Sequence, residues 1–218
     1  MSGSTLLTLT GNSTIGDTVY PYQQSSTNGQ LTVTLNSSDS IGDVHEATAI
    51  VSAGGYIYVL DNEAPSYGGA TSQLLPFSIV SNALQAATSG PIPDDSTLSN
   101  PVYVITGGDG KWLYVANQGN NTQSLAGSGI AGYTLNGTQP PTQLSSSPFG
   151  TGSGPQCLVL DTSKQFIYTA NFNDSTVTGT KIDAHSGNLR SLHDATNVPS
   201  SYTLTGQPTW CLVDGRTD

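Results

Sequence analysis

Lys111-Trp-Leu-Tyr-Val-Ala-Asn117 recurs as Gln165-Phe-Ile-Tyr-Thr-Ala-Asn171 and, more loosely, as Gly55-Tyr-Ile-Tyr-Val-Leu-Asp61. The central tyrosines, Tyr58, Tyr114 and Tyr168, are 56 and 54 residues apart. A second mark precedes each by a fixed step. Pro101 stands 13 residues before Tyr114, Pro155 stands 13 before Tyr168, and His45 holds the same place before Tyr58. Pro208, 53 residues after Pro155, opens a further copy. Self-similarity at such a period marks a supersecondary unit that buries its apolar face only by stacking on its neighbours.

Each unit reads as four short strands. In the last complete one, Cys157–Asp161 is an apolar run and Ser163-Lys164 its turn. Phe166–Ala170 alternates, Val177–Asp183 follows a polar loop, and Leu189–His193 comes after a Ser186-Gly187 turn. Strands of this length between Gly, Asn, Asp and Ser turns are the β signal, and no stretch of ten residues shows helical periodicity. Four-stranded units at this spacing predict an all-β fold, a β-propeller. Calling the strands A to D outward from the axis, Leu6–Thr10, Thr18–Tyr22 and Gln30–Leu35 supply B, C and D. Three complete units follow, and Thr209–Val213 supplies a last A. The expected units are 1–43 without an innermost strand, 44–98, 99–152, 153–206, and 207–218 as an innermost strand only: about four blades of four antiparallel strands. Gly107-Gly-Asp-Gly110 joins two strands and reads as a hairpin turn rather than a phosphate cradle.

Composition agrees and excludes other classes. The chain has 218 residues, of which only 9% are charged and 25 are glycine. No apolar run approaches the ~20 residues of a membrane-spanning helix, so no membrane insertion is expected. Net charge is −10, and the five cations, Lys111, Lys164, Lys181, Arg190 and Arg216, are scattered. Nucleic-acid binding needs a cationic surface that displaces counterions, so nucleic acid is excluded as a partner. The N-terminal Met1-Ser-Gly-Ser-Thr-Leu-Leu has neither a basic nor a long apolar segment, unlike a signal peptide. The expectation is a cytoplasmic protein as the sequence stands, or an exported one if it belongs to a longer precursor. Cys157 and Cys211, at the same place in successive units, are expected as two small buried residues near the axis.

The stretch Gly154-Pro-Gln-Cys-Leu-Val-Leu-Asp-Thr-Ser-Lys-Gln-Phe-Ile-Tyr-Thr-Ala-Asn-Phe-Asn-Asp-Ser-Thr-Val177 resembles a blade of the lactonase family of seven-bladed β-propellers, typified by bacterial 6-phosphogluconolactonase and carboxymuconate lactonising enzyme. It is also similar to surface-layer propeller repeats built on Tyr-Val-Thr-Asn. The resemblance runs from about residue 43 to the C-terminus and is specific for fold rather than chemistry. It implies seven blades, so an arc of a larger ring is preferred over a closed four-bladed ring. It also implies catalytic Arg, His and Glu facing the channel mouth, with Gly-Pro-Arg-His at the entry to a strand A. Here that motif reads Gly154-Pro155-Gln156-Cys157, Phe172 follows Asn171 where a Glu is implied, and Pro101-Val102 replaces a Cys-His pair.

Opening a lactone with water needs a base and donors for the developing oxyanion. Asp43, His45 and Glu46, at the entry to a strand A, are the catalytic candidates, and Glu46 is the candidate base. Gln156, Asn117, Asn171 and Trp210 are ligand-binding candidates, although Asn117 and Asn171 end strands where short polar side chains usually satisfy backbone groups. Trp112, Phe166 and Tyr56 share a face with the repeat tyrosines and read as inter-blade packing. Asp94-Asp95 and Asp61-x-Glu63 lack a calcium-loop pattern, so no metal and no cofactor are expected. Two functions remain open: hydrolysis of a sugar-derived lactone, or a non-catalytic propeller binding carbohydrate or protein. Few cations are available to hold a substrate phosphate. Exposed blade edges of an arc make self-association a further expectation.

Overall fold

Alternating side chains and glycine turns shape the chain into β-sheet, and among the described residues there is no helix. The computed structural model describes residues 5–10, 17–33, 39–40, 46–62, 72–81, 83–119, 125–137, 139–192 and 200–215. They form four separate antiparallel sheets, each a blade. Blade 1 holds β1 (Thr5–Thr10), β2 (Thr18–Gln24), β3 (Leu31–Val33) and β4 (Asp39–Ser40). Blade 2 holds β5 (Ala47–Ala53), β6 (Tyr56–Asp61), β7 (Gln73–Val80), β8 (Ala83–Ala86) and β9 (Ile92–Pro93). Blade 3 holds β10 (Pro101–Gly107), β11 (Trp112–Gln118), β12 (Ser128–Asn136) and β13 (Gln139–Gln143). Blade 4 holds β14 (Pro155–Leu160), β15 (Phe166–Asn171), β16 (Thr176–Ile182), β17 (Leu189–Ser191) and β18 (Ser200–Thr203). This is the all-β, partial propeller that the repeat predicts. The outermost strand is split: β2 pairs with both β3 and β4, β7 with both β8 and β9, and β16 with both β17 and β18.

Packing between blades is itself a repeat. Cross-strand pairs Leu9 with Val19, Leu60 with Leu74, Ala116 with Ile130, and Ala170 with Val177 occupy one equivalent place in successive blades. With Leu7, Tyr58, Tyr114 and Tyr168 two residues before the first member, they make the forward face of each blade. The first three forward faces meet the next blade in apolar clusters. Tyr58 and Tyr114 are buried there, and burial pushes the Tyr58 phenol up to about 12. The Tyr114 hydroxyl reaches across to donate to the Gly187 carbonyl at 2.6 Å. Gly187, at φ +75°, lies under Trp112, and a Cβ there would stand 2.4 Å from the Trp112 Nε1, so the turn needs glycine on both counts. Trp112 joins the same cluster as Tyr114, and Tyr56 packs with Tyr58, which accords with an inter-blade packing role.

Three sequence expectations change. First, His45 does not hold the place of the two prolines. Pro101 faces Asn117 and Pro155 faces Asn171, whereas Ala47 faces Asp61. The β5–β6 connection is the two-residue Gly54-Gly55, while 108–111 joins β10 to β11. Counting back from Tyr58 by 13 therefore overshoots the strand start by two residues. Second, Cys157 and Cys211 form a disulfide with Cα atoms 6.1 Å apart. The segment carrying Cys211 lies close enough to β14 for the pair to fall within bridging range. Third, residues 209–213 form no strand. Among the described residues β1 pairs with β2 alone, so the closed four-bladed ring is not formed. Instead residues 204–215 leave the outer edge through a Leu204 N–H to Ser175 carbonyl bond of 2.8 Å. They reach the axis at Trp210, whose ring meets Tyr103 edge-on, and Gly215 ends beside Thr162.

Candidate functional site

The site is built from the entries to the innermost strands. In each of β5, β10 and β14 the ladder slips by one residue, between Ala47 and Ala49, Pro101 and Tyr103, and Pro155 and Cys157. The extra residues are Thr48, Val102 and Gln156. A bulge of this kind turns its side chain out of the ladder and is a common device beside active sites. The recurring bulges thus leave three half-buried side chains at the entries to the innermost strands, of which Val102 packs against the cluster between blades 3 and 4.

Polar bonds stitch these entries from blade to blade. The Ala47 N–H donates to the Asp17 carboxylate, and the Thr48 hydroxyl to the Pro101 carbonyl at 2.7 Å. Asn100 Nδ2 donates to Gln118 Oε1 at 2.9 Å, and Gln118 Nε2 donates to Gln156 Oε1 at 2.7 Å. Gln156 is thereby held as an acceptor, and its own NH2 has no acceptor among the described residues. Trp210 is 69% exposed, and its ring centroid lies 5.8 Å from that of Tyr103 at an interplanar angle of 80°. The Cys157–Cys211 bridge, one residue along from both Gln156 and Trp210, ties the indole to this neighbourhood. An aromatic face beside fixed amides suits a neutral, hydroxyl-rich ring.

The other candidates separate. Glu46 is exposed immediately before β5, where Asn62 Nδ2 donates to its Oε2 at 3.0 Å and its own N–H donates to Asp61 Oδ1. Asp43 and His45 lie outside the described residues. Asn117 and Asn171 are fully buried at the ends of β11 and β15. Asn171 Nδ2 donates to the Thr176 and Thr178 hydroxyls at 3.0 and 2.9 Å, so its amide is engaged within its own blade. Thr48, Asn100, Tyr103 and Gln118 were not singled out in the sequence. Tyr103 was findable, since it stands two residues after Pro101 as Cys157 stands two after Pro155. The others depend on the bulge and on contacts between blades.

Charge around the mouth is one-sided. The described cations lie at the opposite end of the blades or toward their outer edge. Lys111 and Lys164 are in the turns after β10 and β14, Lys181 is near the end of β16, and Arg190 is on β17. Lys164 is bound to Asp109 and Arg190 to Asp183, and the Lys164 ammonium holds the Asp109 carboxyl below its ordinary value. Behind the mouth, Asp94 is buried between blades 2 and 3. It accepts from the Tyr133 hydroxyl and, at 2.8 Å, from the Asp95 N–H. Burial raises its pKa, against the lowering effect of these bonds and of one from Asn117. Asp95 is occupied by Thr97 and Gln143. Among the described residues no group of three His, Cys, Asp or Glu side chains is arranged to hold a metal.

A family model described as "Lactonase, 7-bladed beta-propeller" matches residues 79–205. No curated protein sequence matches the chain. Solved structures share the fold. The periplasmic gluconolactonase PpgL of Pseudomonas aeruginosa aligns over 94% of this chain and 55% of its own, with a TM-score of 0.68 and 17% identity. A Bacteroides uniformis protein provisionally described as a 6-phosphogluconolactonase aligns over 88% of this chain and 50% of its own, with a TM-score of 0.66 and 16% identity. A protein from Lactobacillus plantarum covers 84% and 50%, with a TM-score of 0.60 and 21% identity. The chain thus spans about half the length of the solved structures it matches.

Proposed function

Since this chain belongs to the lactonase family of β-propellers, we propose that its mouth takes a neutral, sugar-derived lactone, and that Glu46 activates the water that opens it. The observation that carries the reading is the row of bulged entries. It leaves Thr48 and Gln156 half-buried at strand entries, and Glu46 stands exposed two residues before Thr48. A lactone carbonyl needs a base for water and donors for the oxyanion. Glu46 is the exposed acid immediately before an innermost strand among the described residues, and Asn62 fixes its carboxylate. The Gln156 amide, anchored by Gln118, is the donor offered to the ring oxygens. The placement of the described cations away from the mouth favours an unphosphorylated substrate.

The test is lactone opening by pH-stat with δ-gluconolactone and its 6-phosphate, background hydrolysis subtracted. The neutral lactone is expected to turn over, and Glu46→Gln to lower kcat by about 10²- to 10⁴-fold, the range of a general base. Unchanged turnover in that variant overturns the assignment of Glu46. A second reading has its own observation: the bulge that carries Arg in the resembled motif carries only neutral side chains here. On that reading the propeller binds carbohydrate without turnover. Saturable calorimetric binding of gluconolactone together with a silent pH-stat would establish it.

A further inference from the structure

The residue before each innermost strand and the residue after the Asp or Asn that faces its start form a repeated pair. The Asn62 N–H donates to the Glu46 carbonyl at 2.9 Å, the Gln118 N–H to the Asn100 carbonyl at 2.8 Å, and the Phe172 N–H to the Gly154 carbonyl at 2.7 Å. The backbone is thus the same in blades 2, 3 and 4, but the side chains on it differ. In blade 2 the pair is Glu46 and Asn62. An ionised carboxylate only accepts, so the Asn62 NH2 is turned toward it, Nδ2 to Oε2 at 3.0 Å. In blade 3 the pair is Asn100 and Gln118, and its polarity is the opposite: Asn100 Nδ2 donates to Gln118 Oε1 at 2.9 Å. The Gln118 NH2 is thereby released to reach blade 4, where Nε2 donates to Gln156 Oε1 at 2.7 Å.

Amides in series make a relay with a direction. Reversing Asn100 reverses Gln118 and then Gln156, because each bond needs one donor and one acceptor. The root of the relay is rigid. The Gln118 N–H and carbonyl are both bonded, the carbonyl to the Ser128 hydroxyl at 2.9 Å. Gly119 follows at φ +76°, and a Cβ there would stand 2.6 Å from Ser128 Oγ, so glycine is what lets β11 and β12 close at this point. At the other end Gln156 sits half-buried on the β14 bulge. Its oxygen is taken, and its NH2 has no acceptor among the described residues.

Taking this entry as the ligand site, the reading on which the inference rests, we propose that Gln118 is a positioning residue that keeps the Gln156 NH2 free for a ligand. The entry to β14 then selects a ring that carries an acceptor oxygen, such as a lactone carbonyl, over the same ring without one. A reversed Gln156 sets its own oxygen against that carbonyl. The lost bond and the mismatch together are worth about tenfold in affinity.

Two isosteric substitutions reverse the relay. Gln118→Glu accepts from both neighbours and turns the Gln156 NH2 toward itself. Asn100→Asp supplies the acceptor that blade 2 has, draws the Gln118 NH2 to itself and turns Gln156 in the same sense. Calorimetry would use gluconolactam, which keeps the carbonyl and resists opening, and 1,5-anhydroglucitol, the same ring with a CH2 in its place. Both probes are neutral, so the added charge acts on them alike. The parent is expected to prefer the lactam, and each variant to lower that preference about tenfold with anhydroglucitol binding unchanged. In the free protein, nitrogen–proton spectra should show a Gln156 NH2 signal moving downfield in both variants, as it becomes bonded to residue 118. Equal losses for the two probes are a structural defect and overturn the proposal. Unmoved Gln156 signals in both variants overturn the relay whatever the probes do. Signals that move while the preference stays overturn the selection. A parent that binds neither probe overturns instead the ligand reading of this entry, and the selection falls with it, while the amide signals still report the relay.

Discussion

Asp94 shows how a single side chain carries a pH dependence into the whole fold. It is buried with Tyr133 and Asp95 as its titratable neighbours, and burial raises its pKa above the ordinary carboxylate value. Between that ordinary value and the raised folded one, the native chain keeps a proton that the unfolded chain has released. Stability from this group is therefore present at the acid end and falls as pH rises through the window. Asp94→Asn keeps an oxygen for the Tyr133 hydroxyl and the Asp95 N–H and removes the titration. Melting temperatures of both proteins, scanned upward from about pH 4, should show a decline in the parent that is shallower in the variant. Parallel curves would mean that Asp94 is ionised in the fold throughout. In the sequence Asp94-Asp95 reads only as a pair of loop acids. Its role depends on Tyr133, 39 residues away, a contact between blades that spacing along the chain does not reveal.

Strands and turns were the legible level, and their failures have physical causes. The β14–β17 strands lie where the alternation and the Gly, Asn and Ser turns put them, because strand period and turn chemistry are local. The position of His45 failed through a hairpin two residues shorter than its homologue in the next blade. The separate cysteines failed because nothing in the sequence measures the gap between β14 and the segment that carries Cys211. The disulfide now fixes an element that has little else to hold it, since residues 204–215 have no ladder of their own. It closes a loop of 54 residues, for which the chain-entropy estimate is about 4 kcal/mol. Cys211→Ser, or reductant on the parent, is expected to lower the melting temperature by about 10 °C at this chain length. The Trp210–Tyr103 contact should loosen with it, read as a red shift of the indole emission. A melting temperature indifferent to reductant would show that the bridge does not constrain the chain.

At the scale of the molecule, an arc differs from a ring in having ends, and repeat architectures hold each unit chiefly through its neighbours. Blade 3 is packed on both sides, through Leu113, Val115 and Tyr133 toward blade 2 and through Trp112, Tyr114 and Ile130 toward blade 4. Blades 1 and 4 each have one covered face. Local opening follows the number of buried apolar contacts, so protection should fall outward from the middle. In hydrogen exchange on dilute protein, the amides of β11 and β12 should exchange slowest. Those of β1 and residues 204–215 should exchange fastest. Uniform protection at dilution would mean that the four blades open as one unit, and the neighbour-by-neighbour account of their stability would fail.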